Sequence, residues 1–209
     1  MQTYSHFILT AVSNRLMKQN RPDERRVPPL DSKALLIGSI APDIPLILIS
    51  AGVMLTDLSQ GNFNNEAVTP YTEQLFQDWF FNTIWVKTAH NIFHGPIPIL
   101  LYILIGYWAW KNGKKWGASL FWFGAACMGH TLIDIPLHFD DGPLLLFPFN
   151  FNLRFYSPIS YWDPKRYGIP FTIFEHSLIV LSLIWIWRDW KKSKRLENPN
   201  PKFDSFSGT

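Results

Sequence analysis

The chain has 209 residues, of which 47% are hydrophobic, 17% charged and 16% aromatic, with a net charge of +3. Charges are scarcer than the roughly 25% of an average soluble domain, and the apolar mass excludes a disordered chain. A single cysteine, Cys127, excludes a disulfide framework, and so small a net charge gives no footing for nucleic acid.

The apolar residues lie in blocks. Residues 4–17 form a short one. No basic stretch precedes it and no small-residue cleavage site follows, so it reads as a short N-terminal helix, interfacial or half-inserted, rather than a signal peptide. Residues 34–55, 92–110, 116–138 and 169–187 each approach the roughly 20 apolar residues that span a bilayer. The expectation is an all-α, polytopic membrane protein. It has about four transmembrane helices plus the N-terminal helix, in one helical membrane domain over 1–195, and a disordered tail over 196–209. The loop 56–70, rich in Asn, Gly and Gln, reads as irregular.

Charge supports this layout. If residues 15–33 are cytoplasmic, alternation puts every basic residue on that side except Lys87, Arg154, Lys165 and Arg166. The opposite loops hold Asp57, Glu66, Glu73, Asp78, Asp140, Asp141 and Asp163. The positive-inside rule then places the C-terminus in the cytoplasm, and tryptophans near the block ends match an aromatic belt.

Ionisable residues inside the blocks are costly and usually mark a site. His90 and His94 stand four apart, as do His130, Asp134 and His138, so each set shares a helix face. At about 1.5 Å per residue, Asp43, His94, His130, Asp134 and His176 all fall about 15–28 Å from the cytoplasmic charges, and His6 about 14 Å. Pro42, Pro45, Pro96, Pro98 and Pro136 break the helices beside these residues, which a membrane tolerates where backbone lines protein or a hydrated cavity. The reading is a polar pocket opening outward. Histidine with carboxylate suits zinc or a similar divalent metal. The candidate ligands are His6, Asp43, His90, His94, His130 and Asp134, with His138 and His176 as partners that orient them. Asp140, Asp141 and Glu175 are the candidates for moving protons. Cys127, inside an apolar block, reads as a small buried side chain. The loop around Arg154, Lys165 and Arg166 has the composition to hold a lipid phosphate, or to form an ordinary interfacial belt.

The segments GSIAPDIP, HNIFH, GHTLIDIPLHFDDGPLLLFPF and RFYSPISYWDP resemble those of a bacterial family of membrane-bound metal-dependent hydrolases, which includes LexA-regulated inner-membrane proteins. The resemblance covers residues 4–176 apart from the first outer loop. It implies an inner-membrane location, His6, Asp43, His130 and Asp134 as metal residues, and a distant kinship with zinc-dependent phospholipase C. It thereby implies hydrolysis of an ester or phosphoester, with a membrane lipid as partner or substrate. HNIFH departs from the family's H-R-G-x-T-H-type segment, which leaves open whether His90 or His94 is the ligand. Two other functions fit the same polar cluster. One is transport of a small solute or metal ion, for which the sequence lacks an internal repeat. The other is a non-catalytic membrane scaffold whose polar residues hold helices together.

Overall fold

The computed structural model describes residues 1–20, 26–62 and 69–197, and all the regular elements among them are helical. In chain order these are α1 (Thr3–Gln19), α2 (Ser32–Gly38) and α3 (Ile44–Ser59), then α4 (Pro70–Gln74), a π-helical turn (Leu75–Trp79) and α5 (Phe80–Asn82). There follow α6 (Ile84–His94), α7 (Pro96–Lys111), α8 (Trp116–Asp134) and α9 (Gly168–Glu197). The tail expected to be disordered lies, from residue 198 on, outside the described residues.

Each of the four apolar blocks is helical, but they differ in whether they have the length to cross a membrane. α8 with its following turn (Trp116–Leu137) and α9 (Gly168–Arg195) are each long and apolar enough to span. α6 and α7 qualify only as a pair bent by 43° at Gly95, where Pro96 offers no N–H to continue the ladder. The block 34–55 is not one helix. The turns around Pro42 divide it into the seven-residue α2 and the sixteen-residue α3. Among the described residues, two helices, or three counting the bent pair, therefore have the length to cross, and α3 is a shorter apolar helix beside them.

Helix directions follow from contacts at both ends. α1 runs parallel to α9. Near its start, the Gln2 amide donates to Glu175 and the Tyr4 hydroxyl meets His176 at 2.8 Å. Near its end, Arg15 pairs with Asp189 at 2.7 Å. α7 and α8 form an antiparallel hairpin at very close range. A Cβ on Gly106 would stand 2.4 Å from the Phe121 nitrogen, and one on Gly117 2.3 Å from the Trp110 nitrogen. Only glycine permits that approach. α2 lies parallel to α8. It is capped by Asp31, which accepts from the amides of Lys33 and Ala34 at 3.1 Å and from the Ser119 hydroxyl at 2.6 Å. The Trp122 indole closes the same end by donating to the Pro28 and Pro29 carbonyls.

The start of α1, the end of α2, the start of α3, the α6/α7 bend and the end of α8 all meet at one level. Lys18, Lys111, Lys115 and Arg195 lie at the opposite ends of their helices. Outside this junction the helices present large apolar side chains to their surroundings. Leu48, Leu55, Ile173 and Leu181 are each more than 60% exposed, as expected of a surface solvated by lipid rather than water.

Candidate metal centre

The junction gathers Asp43, His94, His130 and Asp134. Each offers one ligand atom, and these atoms all lie within 4.8 Å of one another. They come from three separate segments: the turn before α3, the last residue of α6, and one face of α8. His130 and Asp134 meet because four residues make about one helical turn. His130 Nε2 is 3.0 Å from Asp134 Oδ2 and 3.4 Å from Asp43 Oδ1, and His94 Nε2 is 3.4 Å from Asp134 Oδ2. Asp134, His94 and His130 are buried, and Asp43 is part-open.

These approaches are close, yet His130 Nε2 and both nitrogens of His94 lack a hydrogen-bond partner. Unpaired buried polar atoms are costly and call for an explanation. Nitrogen and carboxylate lone pairs directed at a common point, without hydrogen-bond alignment, are what a shared cation requires. The other nitrogen of His130, Nδ1, stands 2.8 Å from the Ser39 carbonyl oxygen. Donation there leaves Nε2 unprotonated and facing the carboxylates, the arrangement seen when a second group orients a metal-binding histidine.

A ring of further contacts holds the carboxylates. His6 Nε2 lies 3.0 Å from Asp134 Oδ1, and its ring stacks on His130 at 3.6 Å. The Met1 amino group reaches the same oxygen at 2.7 Å. The Thr3 hydroxyl donates to Asp43 Oδ2. His138 Nε2 stands 3.7 Å from Asp134 Oδ2, and its Nδ1 3.0 Å from Asp141 Oδ1. Burial alone would raise the Asp141 carboxyl, but the His138 ring and the Trp162 indole N–H outweigh it and hold it below the usual carboxylate range.

The sequence-derived candidates therefore separate. His94 joins the four-residue group. His90 lies outside it, one turn back on α6, with its ring 4.7 Å from His94 and both nitrogens unpartnered. His6 adjoins the group through Asp134. Asp140 and Asp141 line the cavity beside it. Glu175 is buried at the Gln2 amide, outside the cavity lining. His176 shares the depth of the others but not their position. It is exposed on α9, with Nδ1 at the Thr172 carbonyl, because depth along a helix does not fix the face. Arg154 is turned inward rather than toward a lipid phosphate. It donates to the Gly142 carbonyl and lies over the Phe80 ring at 4.8 Å. Arg166 lies over Phe139. Sequence reasoning did not single out Thr3, Ser39 or Tyr161. Ser39 and Tyr161, whose ring lies 5.0 Å from that of His138, carried a signal, since they stand inside GSIAPDIP and RFYSPISYWDP.

The cavity next to the cluster encloses about 1010 Å³. Its lining includes Asp43, His90, His94, His138, Asp140 and Asp141. Among known protein families, the model described as YdjM inner membrane protein matches residues 1–194. No curated protein and no solved structure matches the chain. The family match speaks for the membrane setting and is silent on hydrolysis and on phospholipase C.

Proposed function

The chain belongs to the YdjM inner membrane protein family, and on that premise we propose that it is a metal-dependent hydrolase. Its ion would be zinc, and its substrate an ester or phosphoester at the outer side of the membrane. One observation carries the reading: four ligand atoms from three segments gather within 4.8 Å, with imidazole nitrogens that have no other partner. Two histidines with two carboxylates are a donor set suited to zinc.

A divalent ion held there would supply Lewis acidity toward an ester or phosphoryl oxygen. The chain's own residues do the rest. Asp43, His94, His130 and Asp134 form the ligand set. Ser39, Thr3 and His6 fix the orientation of His130, Asp43 and Asp134 respectively. Asp141, kept ionised 3.0 Å from His138 Nδ1, holds that ring so that a proton taken from the attacking water at His138 Nε2 passes on to the leaving oxygen. Asp140 lines the same cavity and is the second candidate base. Glu175 serves by tying the start of α1 to α9. The basic helix ends face the cytoplasm under the positive-inside rule, which puts the C-terminus inside and the cluster toward the outer leaflet.

The test is turnover of ester and phosphoester lipid analogues by purified, zinc-loaded protein. Activity should vanish with a chelator, return with zinc, and fall by about 100-fold or more in His130→Ala. No turnover with zinc, manganese or iron, together with metal-ion flux into proteoliposomes, would assign the cluster to transport instead.

A further inference from the structure

Among the described residues, the cavity lining holds the carboxylates of Asp43, Asp140 and Asp141 but no lysine or arginine. Several of its hydrogen-bond donors are already committed. The Gln77 amide donates to Glu73, the Trp162 indole to Asp141, and the Met1 amino group to Asp134. Of the hydroxyls, Thr3 is taken by Asp43, and Ser50 lies seven residues along α3 from Asp43, about 10 Å at 1.5 Å per residue. Tyr161 differs from these. It lines the cavity, and its hydroxyl has no hydrogen-bond partner among the described residues.

Backbone contacts hold Tyr161 in place. The chain leaves α8 at Asp134 and runs through the turn Ile135–Leu137 to His138. Residues 157–161 return beside this stretch. The Ser157 amide donates to the Phe139 carbonyl at 3.1 Å, the Ser157 hydroxyl to the Pro136 carbonyl, and the Tyr161 amide to the Leu137 carbonyl at 2.9 Å. The Tyr161 ring thereby stands 5.0 Å from the His138 ring, and His138 Nε2 is 3.7 Å from Asp134 Oδ2. Burial, and then the carboxylates of Asp134, Asp141, Asp43 and Glu175, push the phenol above its ordinary value, so it keeps its proton at neutral pH. Tyr161 is thus a neutral donor fixed among acceptors. Hydrolysis of an ester or phosphoester builds negative charge on an oxygen, and a donor already in position answers that charge without reorganising.

We propose that Tyr161 is a catalytic residue whose hydroxyl donates a hydrogen bond to the carbonyl or phosphoryl oxygen of the substrate, the oxygen that gains negative charge as water attacks. The phenol keeps its proton throughout. His138 and Asp141 serve the attacking water and the leaving oxygen, and Tyr161 serves the oxygen that stays on the acyl or phosphoryl group. The reaction rests on the hydrolase reading above, whereas the free hydroxyl and its placement stand without it.

Tyr161→Phe removes only the hydroxyl and keeps the ring against His138. Tyr156→Phe is the control: Tyr156 is in the same loop, 68% exposed and outside the cavity lining. Zinc-loaded wild type and both variants are compared in zinc content, in kinetics on p-nitrophenyl acetate and bis(p-nitrophenyl) phosphate, and in binding of inorganic phosphate by calorimetry. Zinc content should be equal in all three. In Tyr161→Phe, kcat should fall about 100-fold with KM within about twofold, and the phosphate Kd should rise about 10-fold. Tyr156→Phe should match the wild type throughout. Turnover and phosphate affinity at wild-type level in Tyr161→Phe would overturn the proposal and leave the hydrolase reading standing. Loss of zinc in Tyr161→Phe would also overturn it, by showing that the hydroxyl supports the structure instead. Weaker phosphate binding in Tyr161→Phe, with no ester turned over by the wild type, would uphold the oxyanion contact and remove the hydrolase reading. A wild type that neither turns over an ester nor binds phosphate would overturn both.

Discussion

Gly38→Ala tests whether backbone packing sets the metal centre. Gly38 ends α2 where it presses against α8. An added Cβ would stand 2.3 Å from the Phe123 carbonyl oxygen and 3.0 Å from the Ala126 Cβ. The obstacle is backbone, so no side-chain rotation relieves it. Regaining ordinary contact requires α2 to withdraw by about 1 Å. The next residue is Ser39, whose carbonyl lies 2.8 Å from His130 Nδ1. A 1 Å withdrawal breaks that hydrogen bond, and it also moves the turn that carries Asp43. Overpacking of this kind costs about 1–3 kcal/mol, and loss of a contact that orients a metal ligand costs about 10–100-fold in affinity. The assay is a metal titration with thermal unfolding in detergent. Gly129→Ala is the control: it lies one residue from His130, and a Cβ there meets nothing within 4 Å. It should leave affinity unchanged and stabilise α8 by up to about 1 kcal/mol. Wild-type affinity in Gly38→Ala, or equal losses in both variants, would refute the reasoning.

Other outcomes follow from single contacts. Asp31→Ala removes the α2 cap and the Ser119 hydrogen bond, so it should destabilise the protein by about 1–2 kcal/mol in thermal unfolding at pH 7. The Ser119 hydroxyl, then the Ala34 amide, hold the Asp31 carboxyl below its usual value. Its contribution is therefore complete above the unfolded pKa of about 3.9 and is lost as pH falls through the lower folded value. The gap between wild type and Asp31→Ala should close only in that acidic window. Arg154→Met keeps an apolar stem but loses the Gly142 hydrogen bond and the stacking on Phe80. A loss of about 2–3 kcal/mol is expected by thermal unfolding, with faster proteolysis in the 138–167 loop. Removing metal with a chelator should lower the melting temperature, since an ion bound only to the folded state at 100 times its Kd contributes about 2.7 kcal/mol. That drop should be absent in Asp134→Ala.

The helical class and the main polar cluster were legible in the sequence because both depend on local spacing. His130 and Asp134 share a face by helix geometry alone, and the GSIAPDIP prolines marked the break that aims Asp43. The division of block 34–55 into α2 and α3 was harder to read, because the apolar run continues through Pro42 while the backbone turns. His94 could not be separated from His90 by spacing, since one helix turn carries both toward the same side. The choice depends on the 43° bend after His94, which brings the end of α6 to α8. The Thr131 hydroxyl fixes that meeting by donating to the His94 carbonyl at 3.0 Å. His176 failed for the converse reason: its depth matched, but its face on α9 is set by packing against Tyr4. The roles of Arg154 and Ser39 came from long-range backbone contacts that no local pattern encodes.

At the junction of helix ends the side chains form a metal centre. Its most direct test is the metal content of protein purified in detergent, measured by mass spectrometry for the wild type, His130→Ala and Asp134→Ala, with size-exclusion profiles to show folding. Near-stoichiometric zinc, or another divalent metal, is expected in the wild type and its loss in both folded variants. A folded wild type that stays metal-free after reconstitution with zinc, manganese or iron would contradict it, as would metal retained in both variants.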